Sequence, residues 1–302
     1  MIVIIFFVLA YVASIIFVRV RNKKHFTLSR QLSDFSTFMV PFNIPAYVLS
    51  KVPLTSRIEQ TYFPELKLIE DNWEEIRDEA LLLYQQGHIA IKEDDLPGSS
   101  FYKDNRWTSF YLKIYNNEIP SAYKLAPKTM ALIAQVPSMR MALFACLNPG
   151  KKLGSHHDPF AYTLRYSLGL STPNHKDCSL VVNGENYQWT DGESIIFDET
   201  YQHSAHNDTE VPRIILMTDI DRPLKSALVQ KMYYWFGFWF NRFFSVDNLD
   251  KKYTGFGNKL GKGLNAYKAV MKKFKHWNKK LYTATKLTLL AIVFYGIGSL
   301  LV

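Results

Sequence analysis

Only two of the 302 residues are cysteine, Cys146 and Cys178, and they form neither a CxxC pair nor a disulfide framework. That excludes a cysteine-built zinc or redox site and suits a reducing compartment. The chain also lacks a GxSxG elbow, a P-loop, and a GxGxxG followed by an acidic residue. Serine hydrolases of the elbow type, P-loop nucleotidases and dinucleotide-binding enzymes are thereby set aside. Excess positive charge is missing from most of the chain. The net charge is +9, yet the stretch from Val246 to Lys286 alone holds eleven lysines against two acids, so the rest sums to about zero. A basic run interleaved with aromatics suits an anionic membrane surface better than a duplex, so no nucleic-acid partner is expected.

Apolar runs, in contrast, are present at both ends. Ile2 to Val18 carries no charge, and as a helix it would extend roughly 25 Å, close to the hydrocarbon thickness of a bilayer. The basic residues Arg19, Arg21, Lys23 and Lys24 follow it rather than precede it, which predicts an uncleaved anchor with a cytoplasmic flank. Leu287 to Val302 is a second apolar run behind Lys279, Lys280 and Lys286, read the same way. Met232 to Phe244, rich in Trp, Tyr and Phe, is too short to span and should lie in the headgroup layer. The expected organisation is a transmembrane helix over 1–20, a connector over 21–60, a folded domain over 61–224, an aromatic and lysine-rich interfacial segment over 225–286, and a transmembrane helix over 287–302. Pro41, Pro45 and Pro53 should break any long helix in the connector. Asn265–Asn278 reads as a lysine-rich amphipathic helix after loops marked by glycines 255, 257, 261 and 263.

The folded domain opens with one predicted helix from Pro64 to Gly87, in which Leu66, Ile69, Trp73, Ile76, Ala80 and Leu83 recur at helical spacing. Its acidic face, with Glu70, Asp71, Glu74, Glu75, Asp78 and Glu79, reads as solvated. Trp107–Tyr115 reads as a strand and Lys128–Val136 as a shorter helix. From Met141 onward come short apolar runs with turns: Met141–Leu147, Tyr162–Leu170, Ser179–Val182, Glu185–Trp189, Ser194–Phe197, Ser204–Asn207 and Arg213–Ile220. Asn183-Gly184 is a two-residue hairpin signal. Such strands predict an α+β protein with a sandwich or jelly-roll core. In Tyr162–Leu170 the apolar residues alternate with Thr163, Arg165, Ser167 and Gly169, so a polar face should line the interior.

The chemistry is concentrated at His156-His157-Asp158. In an extended segment His156 and Asp158 point the same way and His157 the other. Two imidazoles and a carboxylate on one face of a metal leave the remaining positions open. The third ligand must come from elsewhere: His203 and His206, three residues apart and facing opposite sides of a strand, are the candidates, and spacing alone leaves both open. Arg213, ten residues after His203, would need an anionic partner inside a barrel, and a carboxylate such as the distal one of 2-oxoglutarate matches its planar fork. Catalytic zinc on the same three ligands is a rival, without an evident general base.

The stretches FPELKLIEDNWEEIRDEAL (63–81), NPGKKLGSHHDPFAYTLRYSLGL (148–170), NGENYQWTDGESIIFDETYQHSAHN (183–207) and RIILMTDIDRPL (213–224) resemble the aspartyl/asparaginyl β-hydroxylase family of iron(II)- and 2-oxoglutarate-dependent dioxygenases. Within it they are most similar to membrane-bound lipid A hydroxylases of the LpxO type, a likeness that extends to the apolar ends. The resemblance implies a double-stranded β-helix (jelly-roll) domain flanked by helices, with N- and C-terminal transmembrane helices. It implies Fe(2+) held by His156, Asp158 and His203, 2-oxoglutarate held by Arg213 and Arg165, and O2 as oxidant. Asp158 stands where the protein-hydroxylating branch has glycine, which favours the lipid branch. Ser167 stands in the cosubstrate pocket where many relatives carry histidine, and Ala145 where the protein-modifying branch has serine. The implied function is 2-hydroxylation of a lipid A acyl chain at the cytoplasmic face of a bacterial inner membrane. Other readings are an ornithine lipid substrate, an aspartyl side chain of a protein, or a membrane-anchored binding module without turnover.

Overall fold

The computed structural model describes residues 2–92, 107–115, 117, 119–242, 246–249, 252–253 and scattered positions from 270 to 285. Its centre is a pair of antiparallel sheets. The strands are β1 (Arg57–Ile58), β2 (Ile91–Lys92), β3 (Trp107–Ile114), β4 (Met139–Leu147), β5 (Lys151–His156), β6 (Thr163–Ser171), β7 (Cys178–Val182), β8 (Glu185–Gln188), β9 (Ser194–Phe197), β10 (His203–Asn207) and β11 (Arg213–Asp221). One sheet has the order β1-β9-β6-β11-β4-β3-β2 and the other β5-β10-β7-β8. From β4 to β11 the chain passes back and forth between the two sheets, which is the winding of a double-stranded β-helix. The Asn183-Gly184 turn joining β7 to β8 has φ of 51° and 85°, the left-handed pair that a two-residue hairpin requires.

The larger sheet is covered by helix α5 (Trp73–Gln85), whose Ile76, Ala80 and Leu83 are buried and which packs on β6. Leu164, Tyr166, Leu168 and Leu170 of β6 are fully buried in the same core, each leucine contributing roughly 1.5–3 kcal/mol by leaving water. Gly169 faces inward at a close approach: a Cβ there would lie 2.1 Å from the Thr190 carbonyl oxygen, so no larger residue fits.

Several expectations are corrected in detail. The single helix expected from Pro64 is a 3-10 turn (Pro64–Leu66), then α4 (Lys67–Asp71), a break at Asn72, and α5. Asn72 donates from Nδ2 to the Leu68 carbonyl at 2.8 Å, and its φ of −114° leaves the helical region; its side chain competes with the helical ladder. The acidic face is not simply solvated. Glu79 accepts hydrogen bonds from the Lys128 N–H at 2.9 Å and from the Thr129 N–H and hydroxyl at 2.8 and 2.6 Å. It thereby caps α7 (Pro127–Ala134), which follows the short α6 (Pro120–Leu125) and whose own N-cap residue, Ala126, offers no side-chain acceptor. Glu79→Ala should lower stability by about 1 kcal/mol, the usual cost of a lost cap. Denaturant unfolding would read this as a lower midpoint at constant slope; an unmoved midpoint would mean the cap contributes nothing.

Helix α1 (Ile2–Arg21) covers the first apolar run, and among the described residues no helix is long and apolar enough to cross a membrane. After the short α2 (Leu28–Gln31), helix α3 (Phe35–Val48) runs through Pro41 and Pro45, where the sequence predicted a break. Burial of Ser36, Thr37, Val40, Asn43, Ala46 and Tyr47 supplies the tertiary packing that offsets the lost backbone bonds. The aromatic segment forms α8 (Ala227–Arg242). One side of it packs Tyr233 and Phe236 against Phe42 and Tyr162, while Trp235 and Trp239 are exposed. The second apolar run, 287–302, lies outside the described residues, as do the glycine loops and most of the lysine-rich segment.

Candidate active site

Strand β5 ends on His156 and β10 begins on His203, and the two are direct cross-strand partners. Antiparallel pairing therefore brings together imidazoles 47 positions apart in the chain, with ring centroids at 4.2 Å. Asp158 follows as the chain leaves β5, its backbone N–H donating to the Glu199 carbonyl at 2.9 Å. One ligand atom each from His156, Asp158 and His203 lies within 4.8 Å of the others. His157 faces away and pairs through Nδ1 with Asp34 at 3.2 Å. His206 sits near the Ser179 hydroxyl, outside the cluster.

The donor set fits a divalent iron: two nitrogens and one oxygen, with the imidazole tautomers already set. His156 Nδ1 lies 2.8 Å from the Gly154 carbonyl and His203 Nδ1 lies 3.0 Å from that of Tyr201. A carbonyl only accepts, so each Nδ1 carries the proton and each Nε2 keeps its lone pair. Burial, with His156 close by, pushes the His203 imidazolium down to about 3, so the ring is neutral at neutral pH. Burial pushes the Asp158 carboxyl up, but the two histidines and Arg165 outweigh it and hold it below the usual carboxylate range. Both are the protonation states a metal requires.

Behind the cluster a cavity of about 60 Å³ is lined by His156, His203, Arg165, Ser167 and Arg213 together with Trp107 and Trp189. It has room for several waters at the ~10–15 Å³ that each needs. Arg213 is 1% exposed and lies between two indole rings, 5.1 Å from Trp107 and 4.9 Å from Trp189. Its Nε and Nη2 have no hydrogen-bond partner among the described residues. Burial pulls this guanidinium down to about 10, with no carboxylate among the described residues to offset it. A buried unpaired cation in a cavity is a receptor for an anion.

Arg165 is differently placed. It lines the cavity, yet its Nη2 also reaches Asp158 at 3.2 Å and contacts Glu199, while Nε reaches Asp219 at 2.6 Å. It therefore holds a ring of carboxylates around Asp158, a candidate metal ligand. Ser167 is buried in the cavity wall, opposite Met217 in the register. Ala145 is buried in β4, paired with Ile215. Trp107, Trp189, Glu199 and Asp219 carried no signal as site residues in the motif. Asp219 is nevertheless legible from period 2, since Arg213, Ile215, Met217 and Asp219 share one face of β11.

The sequence profile of the family described as Aspartyl/Asparaginyl beta-hydroxylase matches residues 70–223, more than half of the chain and all of β4–β11. An ornithine lipid ester-linked acyl 2-hydroxylase of Rhizobium tropici is 32% identical over 185 residues, covering 61% of this chain and 63% of that protein. The human aspartyl/asparaginyl beta-hydroxylase is 28% identical over 172 residues, covering 55% of this chain and 22% of that one. The chain thus spans less than two thirds of the length of these relatives. Among solved structures, a Pseudomonas putida prolyl-4-hydroxylase covers 51% of this chain and 88% of its own at 14% identity, with a TM-score of 0.34.

Proposed function

The chain belongs to the aspartyl/asparaginyl β-hydroxylase family, and from that premise we propose that it is an iron(II)- and 2-oxoglutarate-dependent dioxygenase that 2-hydroxylates an acyl chain of lipid A. The observation that carries this reading is the convergence of His156, Asp158 and His203 beside a buried Arg213 whose Nε and Nη2 have no hydrogen-bond partner among the described residues. When bound, iron with 2-oxoglutarate and O2 would supply the oxidation that turns an unreactive C–H bond into C–OH, giving succinate and carbon dioxide. The chain's own residues do the rest. His156, Asp158 and His203 hold the metal. Arg213 fixes the distal carboxylate of the cosubstrate by a charge-assisted pair, and Ser167 lies in the same cavity. Arg165 orients Asp158. Trp107, Trp189, Phe197, Ile215 and Met217 line the cavity and keep water from the reacting centre.

A lipid substrate is favoured by Asp158, since the resemblance assigns glycine at that position to the protein-hydroxylating branch. Support for the bacterial inner membrane, with the domain on the cytoplasmic face, comes from the apolar run Ile2–Val18 and the basic residues directly behind it. The lysine-rich segment and the exposed Trp235 and Trp239 of α8 fit an anionic membrane surface. The Rhizobium relative acts on an ornithine lipid, which makes an ornithine lipid acyl chain the second reading. Mass spectrometry of total lipids from cells with and without the chain separates them. Lipid A should gain one oxygen on an acyl chain; a gain on ornithine lipid instead would move the substrate, and no lipid change would remove the lipid reading.

A further inference from the structure

Asp198 lies five residues before His203 and is fully buried. Two arginines meet on its carboxylate. Arg222, also fully buried, donates from Nη2 to Asp198 Oδ2 at 2.6 Å and from Nε to the Ala161 carbonyl at 2.5 Å. Ala161 is three residues past Asp158. One guanidinium therefore bridges the segment that carries His156 and Asp158 to the segment that leads into His203.

Arg21 closes the arrangement from outside the barrel. It is the last residue of α1, and it donates from Nη2 to Asp198 Oδ2 at 2.5 Å and from Nη1 to the Thr200 hydroxyl at 2.6 Å. The next residue, Asn22, accepts the N–H of Gln202, the neighbour of His203, at 2.8 Å. Asn43 of α3 holds the other segment, donating to the Pro159 carbonyl at 2.8 Å and accepting from the Ala161 N–H at 3.0 Å. Burial pushes the Asp198 carboxyl up, but Arg21 and Arg222 outweigh it and hold it at about 2. A buried ionic triad adds little stability over an apolar packing of the same volume.

We propose that Arg222, Asp198 and Arg21 are positioning residues that set the spacing between the two metal-ligand segments, so that metal affinity depends on the end of helix α1 being docked. The inference rests on the metal site proposed above. Its test is anaerobic Co(II) titration of the whole 302-residue chain, with the cobalt absorption spectrum as readout and no turnover required. Arg21→Gln and Arg222→Lys should weaken Co(II) binding by about 10-fold or more, as outer supports of metal sites do, and alter the spectrum. Arg21→Lys, which keeps the charge, should recover part of the loss. Ile76→Val, in the α5 layer, should lower the melting temperature while leaving Co(II) affinity as in the wild type. If Arg222→Lys does not fold, Arg21→Gln at the edge of the triad decides alone. Wild-type affinity and spectrum in Arg21→Gln would overturn the positioning role and leave the metal site standing. A wild-type chain that binds no Co(II) would overturn both.

Discussion

His156→Ala yields a folded chain that no longer holds a ferrous ion and produces no hydroxylated lipid. The side chain is at the open end of β5 and is not part of the apolar core, so its removal leaves the packing of the two sheets intact. What it removes is one of only two nitrogens in a three-ligand set. Residues that merely support metal ligands typically cost 10–100-fold in affinity when changed, so loss of a ligand should exceed about 100-fold. Anaerobic iron titration with a melting curve checks both halves. A variant that keeps wild-type iron affinity would remove His156 from the ligand set; one that collapses would make it a structural residue.

Arg213→Leu should act on the cosubstrate and on stability in opposite directions. In the wild type a guanidinium is buried between two indoles, with Nε and Nη2 unpartnered among the described residues, an arrangement that folding alone does not favour. Leucine fills much of that space without the charge, so the substituted chain should melt at the same temperature or higher. Two hydrogen bonds to a charged carboxylate are worth about 1.5–3 kcal/mol each, and their loss should raise the KM for 2-oxoglutarate by about 100-fold or more. Steady-state succinate formation against cosubstrate concentration gives the ratio. A lowered melting temperature with unchanged KM would place Arg213 in the core rather than in a receptor.

Much of this site is legible along the chain because strand periodicity fixes which way side chains point. The alternation in Tyr162–Leu170 puts Arg165 and Ser167 inside, and the structure places both on the cavity wall. The same logic separates His156 and Asp158 from His157. Other elements carry no such mark. Strand β5 contains Lys151, Lys152, Gly154 and Ser155 and lies at the edge of its sheet, where no apolar alternation is demanded. Helix α3 survives two prolines because tertiary burial overrides local propensity. The Arg222–Asp198 pair joins residues 24 apart, and Arg21 reaches the same carboxylate from 177 residues away; no local pattern encodes such contacts. The family resemblance selects His203 over His206, a choice the spacing alone leaves open and the pairing of β10 with β5 explains.

The most direct measurement is incorporation of isotopically labelled dioxygen by the purified chain supplied with iron(II), 2-oxoglutarate and lipid A. One labelled oxygen at the 2-position of an acyl chain, matched by one succinate and absent in His156→Ala, is the expected result. Succinate formed without labelled lipid, or labelled lipid formed equally well by His156→Ala, would contradict it.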